Sequence, residues 1–112
     1  MAGNIRKHDW LVPWEAVEES DADLADELAR EVPSGHCLFG VSAVPLAWNR
    51  APHRYDDFLF RVDLPDHEYA LVHLTWAAET RPNYPSTILY RDWEHFCTDS
   101  MIPDHTEHLQ DE

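Results

Sequence analysis

Two alternating stretches constrain this chain more than anything else in it. In Asp57-Phe58-Leu59-Phe60-Arg61-Val62-Asp63, the residues Phe58, Phe60 and Val62 recur at every second position, the period of a strand with one buried face. Arg61 and the two aspartates fall on the other face. In Tyr69-Ala70-Leu71-Val72-His73-Leu74-Thr75-Trp76, the residues Ala70, Val72, Leu74 and Trp76 repeat the pattern. Both stretches are rich in the aromatic and β-branched residues that strands favour. The intervening Leu64-Pro65-Asp66-His67-Glu68 supplies a short turn, so the pair reads as a β-hairpin. Pairing Asp63 with Tyr69 sets Val62 against Ala70, Phe60 against Val72 and Phe58 against Leu74. A slip by one residue would bury Arg61 and Asp57, at a cost of several kcal/mol for unpaired charge.

The flanking segments supply cover for this sheet. Trp10 to Val17 reads as a short helical turn, with Pro13 in its first turn and Trp14 and Val17 on one face. A helix follows, with Ser20 as N-cap, Asp21 and Asp23 in the first turn, and Leu24, Leu28 and Val32 as an apolar stripe. Asp26, Glu27, Arg30 and Glu31 sit elsewhere on its wheel, and Pro33 ends it. Cys37 to Val44 reads as a first strand, continued through Leu46-Ala47-Trp48 after an edge or bulge at Pro45. Thr87 to Tyr90 is a short extended piece. A last helix over Asp92 to Met101 puts Trp93, Phe96, Cys97 and Met101 on one side and stops at Pro103. The expected fold is α+β: a three-stranded antiparallel meander, four-stranded if Thr87 to Tyr90 joins, with an N-terminal and a C-terminal helix packed on one face.

A chain of 112 residues has room for one such domain. We expect it to span 10–102, between a flexible tail at 1–9 and an acidic flexible tail at 103–112. No apolar run approaches the ~20 residues a membrane span needs, and no apolar segment follows the first charges, so the expected location is the cytoplasm. Cys37 and Cys97 have no motif spacing and are expected as reduced, mostly buried thiols.

Charge narrows the partners. Twenty-two acidic residues stand against eight basic ones, a formal net charge of −14 that repels phosphate backbones and anionic lipid. The acids concentrate at Glu15 to Glu31 and from Arg91 to the end. Nucleic acid and membranes are therefore excluded as partners, and a basic protein is favoured.

The segments Ser34-Gly35-His36-Cys37-Leu38-Phe39-Gly40, Asp56-Asp57-Phe58-Leu59-Phe60 and Tyr69 to Trp76, followed by Tyr84-Pro85-Ser86-Thr87, resemble a group of small bacterial proteins. Those proteins share the order GHxLxG, DDxLF, YAxVHLTW, PxT. The likeness covers roughly residues 20 to 101. It implies a small cytoplasmic domain of this fold and carries over no catalytic residue.

Chemistry-bearing motifs are few. There is no Gly-rich phosphate loop, no G-x-S-x-G elbow and no H-x-x-x-H pair, and no cofactor is called for. In the expected register His73 stands opposite Leu59 with Asp57 at the diagonal, and His36 lies at the mouth of the first strand. His36, Asp57 and His73 are therefore the candidates for a metal site or acid–base pair, weighed against structural histidines. Cys37 adjoins His36, but strand neighbours point to opposite faces, which argues against a catalytic thiol. The face away from the helices would show Leu59, Arg61, Tyr69, Leu71, His73 and Thr75, covered by the 77–90 loop or by a second copy in a homodimer. A second contact region is Trp48 with the basic loop residues Arg50, His53 and Arg54. The functional expectation is a small acidic protein-binding module of the inhibitor or immunity kind. The alternative is a metal-binding protein or enzyme using His36, Asp57 and His73.

Overall fold

The computed structural model describes residues 5–18 and 23–110, and in it the hairpin is the centre of a larger sheet. Five strands run antiparallel in sequence order: β1 (Trp14–Ala16), β2 (Ala43–Asn49), β3 (Asp57–Val62), β4 (Tyr69–His73) and β5 (Thr87–Tyr90). The helices are α1 (Asp23–Glu31) between β1 and β2, then α2 (Trp93–Phe96), a π-helical stretch (Cys97–Met101) and α3 (Ile102–Gln110). The fold is α+β with an antiparallel sheet, and its five strands correct the expected three or four. The fifth is Trp14–Ala16, which is an edge strand on β2 rather than a helical turn. The N-cap expected at Ser20 and the first-turn Asp21 lie outside the described residues.

The helices take opposite faces of the sheet, which overturns the expectation of one covered face. Helix α1 brings Leu28 and Val32 to Phe58, Phe60, Val62, Ala70, Val72 and Leu74. The C-terminal helices bring Trp93, Phe96, Cys97 and Met101 to Leu59, Tyr69, Leu71 and Tyr90. Both faces of β3 and β4 carry large apolar side chains, so both must be removed from water, and one helix cannot reach both. The expected contact residues Leu59, Tyr69 and Leu71 are consequently buried inside the molecule. Neither the 77–90 loop nor a second copy is needed to cover them.

The hairpin keeps its faces but shifts its register. Asp57 pairs with His73, Phe58 with Val72, Leu59 with Leu71, Phe60 with Ala70 and Arg61 with Tyr69. This is two residues from the expected pairing, a slip that leaves every side chain on its own face. Strand β2 begins at Ala43, because residues 36–41 form consecutive turns, with Phe39 N–H donating to His36 O and Val41 N–H to Leu38 O. The bulge expected at Pro45 is present: Pro45 pairs with Phe60 but Ala47 with Leu59, so Leu46 is the extra residue. Its effect is to turn Trp48 onto the α1 face, directly across from Phe58.

The C-terminal helix does not stop at Pro103. Asp92 caps α2 by accepting from His95 N–H at 2.9 Å, and the Ile102 N–H reaches back to Cys97 O through the wide π turn. Pro103 has no N–H, and its ring crowds the carbonyl four residues back; widening the turn just before it gives that ring room. Helix α3 then lies against β1: Trp14 Nε1–H donates to Asp104 Oδ2 at 2.9 Å and His105 Nδ1–H to Val12 O at 2.6 Å. The described part of the expected N-terminal tail is also packed. Ile5 O accepts from Trp93 Nε1–H at 3.1 Å, and His8 stacks on Trp10 while its Nε2 meets Tyr69 Oη at 3.0 Å.

Candidate functional site

A chain of charged side chains runs along one end of the sheet, and the local backbone explains why they meet. The β2–β3 connection is folded by two turns, Arg54 N–H donating to Ala51 O and Asp57 N–H to Arg54 O. Asn49 Oδ1 holds the first turn by accepting from Ala51 N–H at 2.9 Å. Arg54 is thereby carried back over the start of β3, where its Nε–H donates to Asp57 Oδ2 at 2.6 Å. The observed register places His73 directly across from Asp57, and His73 Nδ1–H donates to Asp57 Oδ1 at 2.8 Å. On its other side, Arg54 Nη1 lies 3.7 Å from Asp104 Oδ1. Asp104 in turn accepts from Trp14 and approaches Asn49 Nδ2 at 3.5 Å. Burial raises the Asp104 carboxyl above its usual range, while the Trp14 N–H and the Arg54 charge oppose that rise.

Arg54 separates two open depressions. One, of about 510 Å³, is bordered by Pro13, Asn49, His53, Asp104 and Glu107. The other, of about 420 Å³, is bordered by Asp57, Leu71, His73, Ser86, Ile88 and Ser100. With Nδ1 bonded to Asp57, the His73 side chain has its tautomer and orientation set by that carboxylate where it borders the second depression.

His36 does not join this pair. Its Nδ1 accepts from Leu38 N–H at 3.0 Å, so Nε2 carries the proton and donates to Pro85 O at 2.8 Å. It is a buried structural histidine that ties the turn before β2 to the loop before β5. Among the described residues, no three His, Cys, Asp or Glu side chains converge so as to hold a metal ion. The Cys37 Sγ lies 3.9 Å from His36 Nδ1, but that nitrogen is already occupied and desolvation pushes the thiol up. Burial pushes Cys97 up further, to about 11.

At the same end of the sheet, on its α1 face just beyond β4, lies a cluster that residue spacing did not disclose. Trp76, expected on the buried face of a longer β4, has left the strand with φ +62° and is 49% exposed. Glu31, expected on the polar side of α1, is fully buried and accepts from Thr75 N–H and Trp76 N–H, each at 2.7 Å. Asp56 Oδ1 accepts from Trp76 Nε1–H at 2.8 Å. Burial, and after it the neighbouring Glu27 carboxyl, raises Glu31 above the usual carboxylate range. The contact region expected at Trp48 and Arg50 opens onto this cluster: the Arg50 guanidinium lies 4.9 Å from the centre of the Trp48 ring. Arg54 instead serves the Asp57–Asp104 network, and Arg61 is exposed beside Val44. The only forewarning of the cluster was the run Trp48-Asn49-Arg50; nothing in the spacing of Tyr55, Trp76 or Glu31 announced it.

Comparison with family models, curated proteins and solved structures returns no match. No helix among the described residues is long and apolar enough to cross a membrane. The candidate sites therefore stand on geometry and charge alone.

Proposed function

We propose that this chain is a small acidic protein-binding module of the cytoplasm, and that its partner is a basic protein, as for acidic inhibitors and immunity proteins. The observation that carries the reading is the net charge of −14 on a chain of 112 residues. A field of that sign accelerates encounter with a basic surface and repels nucleic acid and anionic lipid. The exposed aromatic side chains Tyr55 and Trp76 add the kind of contact that interface centres favour. The test is capture of partners with the purified protein, followed by association kinetics of the captured protein across ionic strength. The association rate should fall steeply from ~0.01 M to ~1 M salt, over which the screening length shrinks from roughly 30 Å to 3 Å. A neutral or acidic partner bound at a salt-independent rate sinks the reading.

One observation favours a second reading, an acid–base enzyme. It is the Asp57–His73 hydrogen bond beside an open depression. A screen of ester and phosphoester substrates tests it: an activity lost in both folded Asp57→Asn and folded His73→Gln would put this reading ahead.

A further inference from the structure

We propose that the aromatic row running from Trp76 to Tyr55 is a receptor for an arginine or lysine side chain of the basic partner; this rests on the reading of the protein as a basic-partner module. The row is continuous. Trp76 stands edge-on to Phe58 at 6.1 Å between ring centres, Phe58 stacks on Trp48 at 6.3 Å, and Trp48 meets Tyr55 at 6.4 Å. Its inner members are held by the sheet, since Trp48 and Phe58 are direct partners across β2 and β3. Its outer members are open to solvent, Trp76 by 49% and Tyr55 by 53%.

Trp76 is more firmly held than an exposed ring needs to be. A bulky residue at φ +62° is rare and costs free energy. That conformation is maintained by Glu31 on its backbone N–H and by Asp56 on its indole N–H. The ring is thus fixed at both ends, with a broad face left in water rather than in the core. A pinned, solvent-facing indole is suited to bind, because little side-chain entropy remains to be lost.

The surroundings select a cation. Asp56 accepts the Trp76 indole N–H and Glu79 accepts the Thr75 hydroxyl at 2.7 Å, and neither is in an ion pair among the described residues. Their charges add to the negative faces of the rings, which attract cations. The row already receives one guanidinium, that of Arg50 over Trp48. A partner arginine or lysine laid against Trp76 or Tyr55 would repeat that contact while meeting uncompensated carboxylate charge.

The experiment is calorimetric titration of the full chain with octa-arginine and octa-lysine at low salt. The variants are Trp76→Gly, which suits the positive φ, Tyr55→Ser, and Asp99→Asn as a distant acidic control. Trp76→Gly and Tyr55→Ser should each weaken octa-arginine binding about tenfold, the equivalent of ~1.4 kcal/mol. Asp99→Asn should leave it within twofold. Binding that both aromatic variants retain at full strength overturns the receptor while leaving the basic-partner reading in place. No binding of either peptide to the wild type overturns both. If Trp76→Gly fails to fold, Tyr55→Ser decides alone.

Discussion

His73 and Asp57 face each other directly across β3 and β4, with Nδ1 and Oδ1 2.8 Å apart, and only Asp57 of the two is buried. That asymmetry sets the cost of breaking the pair. Asp57→Ala deprives both Arg54 and His73 of their acceptor and should destabilise the protein by roughly 1–3 kcal/mol. His73→Ala removes a half-exposed partner and should cost less than about 1 kcal/mol. Urea unfolding of the two variants checks this. Equal losses would mean that the hydrogen bond, rather than the buried carboxylate, carries the energy.

The two-sided sheet makes a sharper forecast. Phe60 lies fully buried under α1, and Phe96 lies fully buried between the C-terminal helices and the other face. Truncating either to alanine should cost about 3–5 kcal/mol, a large part of a small domain's stability. Leu71→Glu should unfold the chain, because it puts an unpaired charge beneath the C-terminal helices. Circular dichroism and sedimentation of that variant are decisive: a folded, monomeric Leu71→Glu protein would contradict the buried second face.

The alternation of Phe58, Phe60 and Val62 revealed the hairpin and its faces because that period has one structural meaning. It could not resolve the register, since a slip of two residues keeps every apolar side chain inside. The turn Asp63–Glu68 makes the choice, with Val62 N–H closing on Glu68 O. For the site that slip was decisive, converting Asp57 and His73 from diagonal neighbours into direct partners. Likewise, the stripe Trp93, Phe96, Cys97, Met101 signalled a buried helix face but not which side of the sheet it covers. Trp14–Ala16 was illegible for another reason: three residues are too few to show a period, and the strand exists only because β2 offers an edge. Glu31 looked like a solvated charge on the helix wheel. Only the folded chain brings it the Thr75 and Trp76 N–H groups that make its burial tolerable.

Raised carboxyl groups give the protein a pH signature. Glu31 and Asp104 both titrate above the usual carboxylate range, chiefly through burial. Between the ordinary value and the raised one, the folded state holds more protons than the unfolded state, so each group subtracts stability as pH rises through that window. Acidification from neutrality should therefore stabilise the protein before general acid unfolding begins. Glu27, held low first by its hydrogen bond with Glu31 and then by Arg30, acts in the opposite sense: its contribution is lost as pH falls through its lowered value. Glu27→Gln should shrink the stabilising limb without abolishing it, because burial of Glu31 persists. Thermal melts of wild type and variant from neutral to mildly acidic pH will show whether the limb exists.

Thiol labelling separates the two cysteines. Cys37 is exposed, whereas Cys97 is buried against the sheet with its thiol pushed up to about 11. A thiol-specific disulfide reagent at mildly alkaline pH should modify one equivalent on the native protein and two after denaturation. Two equivalents on the native protein would mean that the C-terminal helices open readily from the sheet.

Backbone strain at Trp76 predicts an unusual order among substitutions. At φ +62° any side chain with a Cβ costs roughly 1–2 kcal/mol, and a β-branched one costs more. Glycine removes that cost but forfeits the edge-on contact with Phe58, worth about 0.5–1.5 kcal/mol, and the indole bond to Asp56. The two effects nearly cancel, so Trp76→Gly should unfold within about 1 kcal/mol of the wild type. Trp76→Val loses the same contacts, keeps the strain and adds branching at Cβ, and should be less stable than Trp76→Gly by about 2 kcal/mol. Urea titrations of the three proteins give the order directly. A valine variant as stable as the glycine one would mean that residue 76 moves to negative φ at little cost, so that the Glu31 bond to its backbone N–H does not hold that conformation.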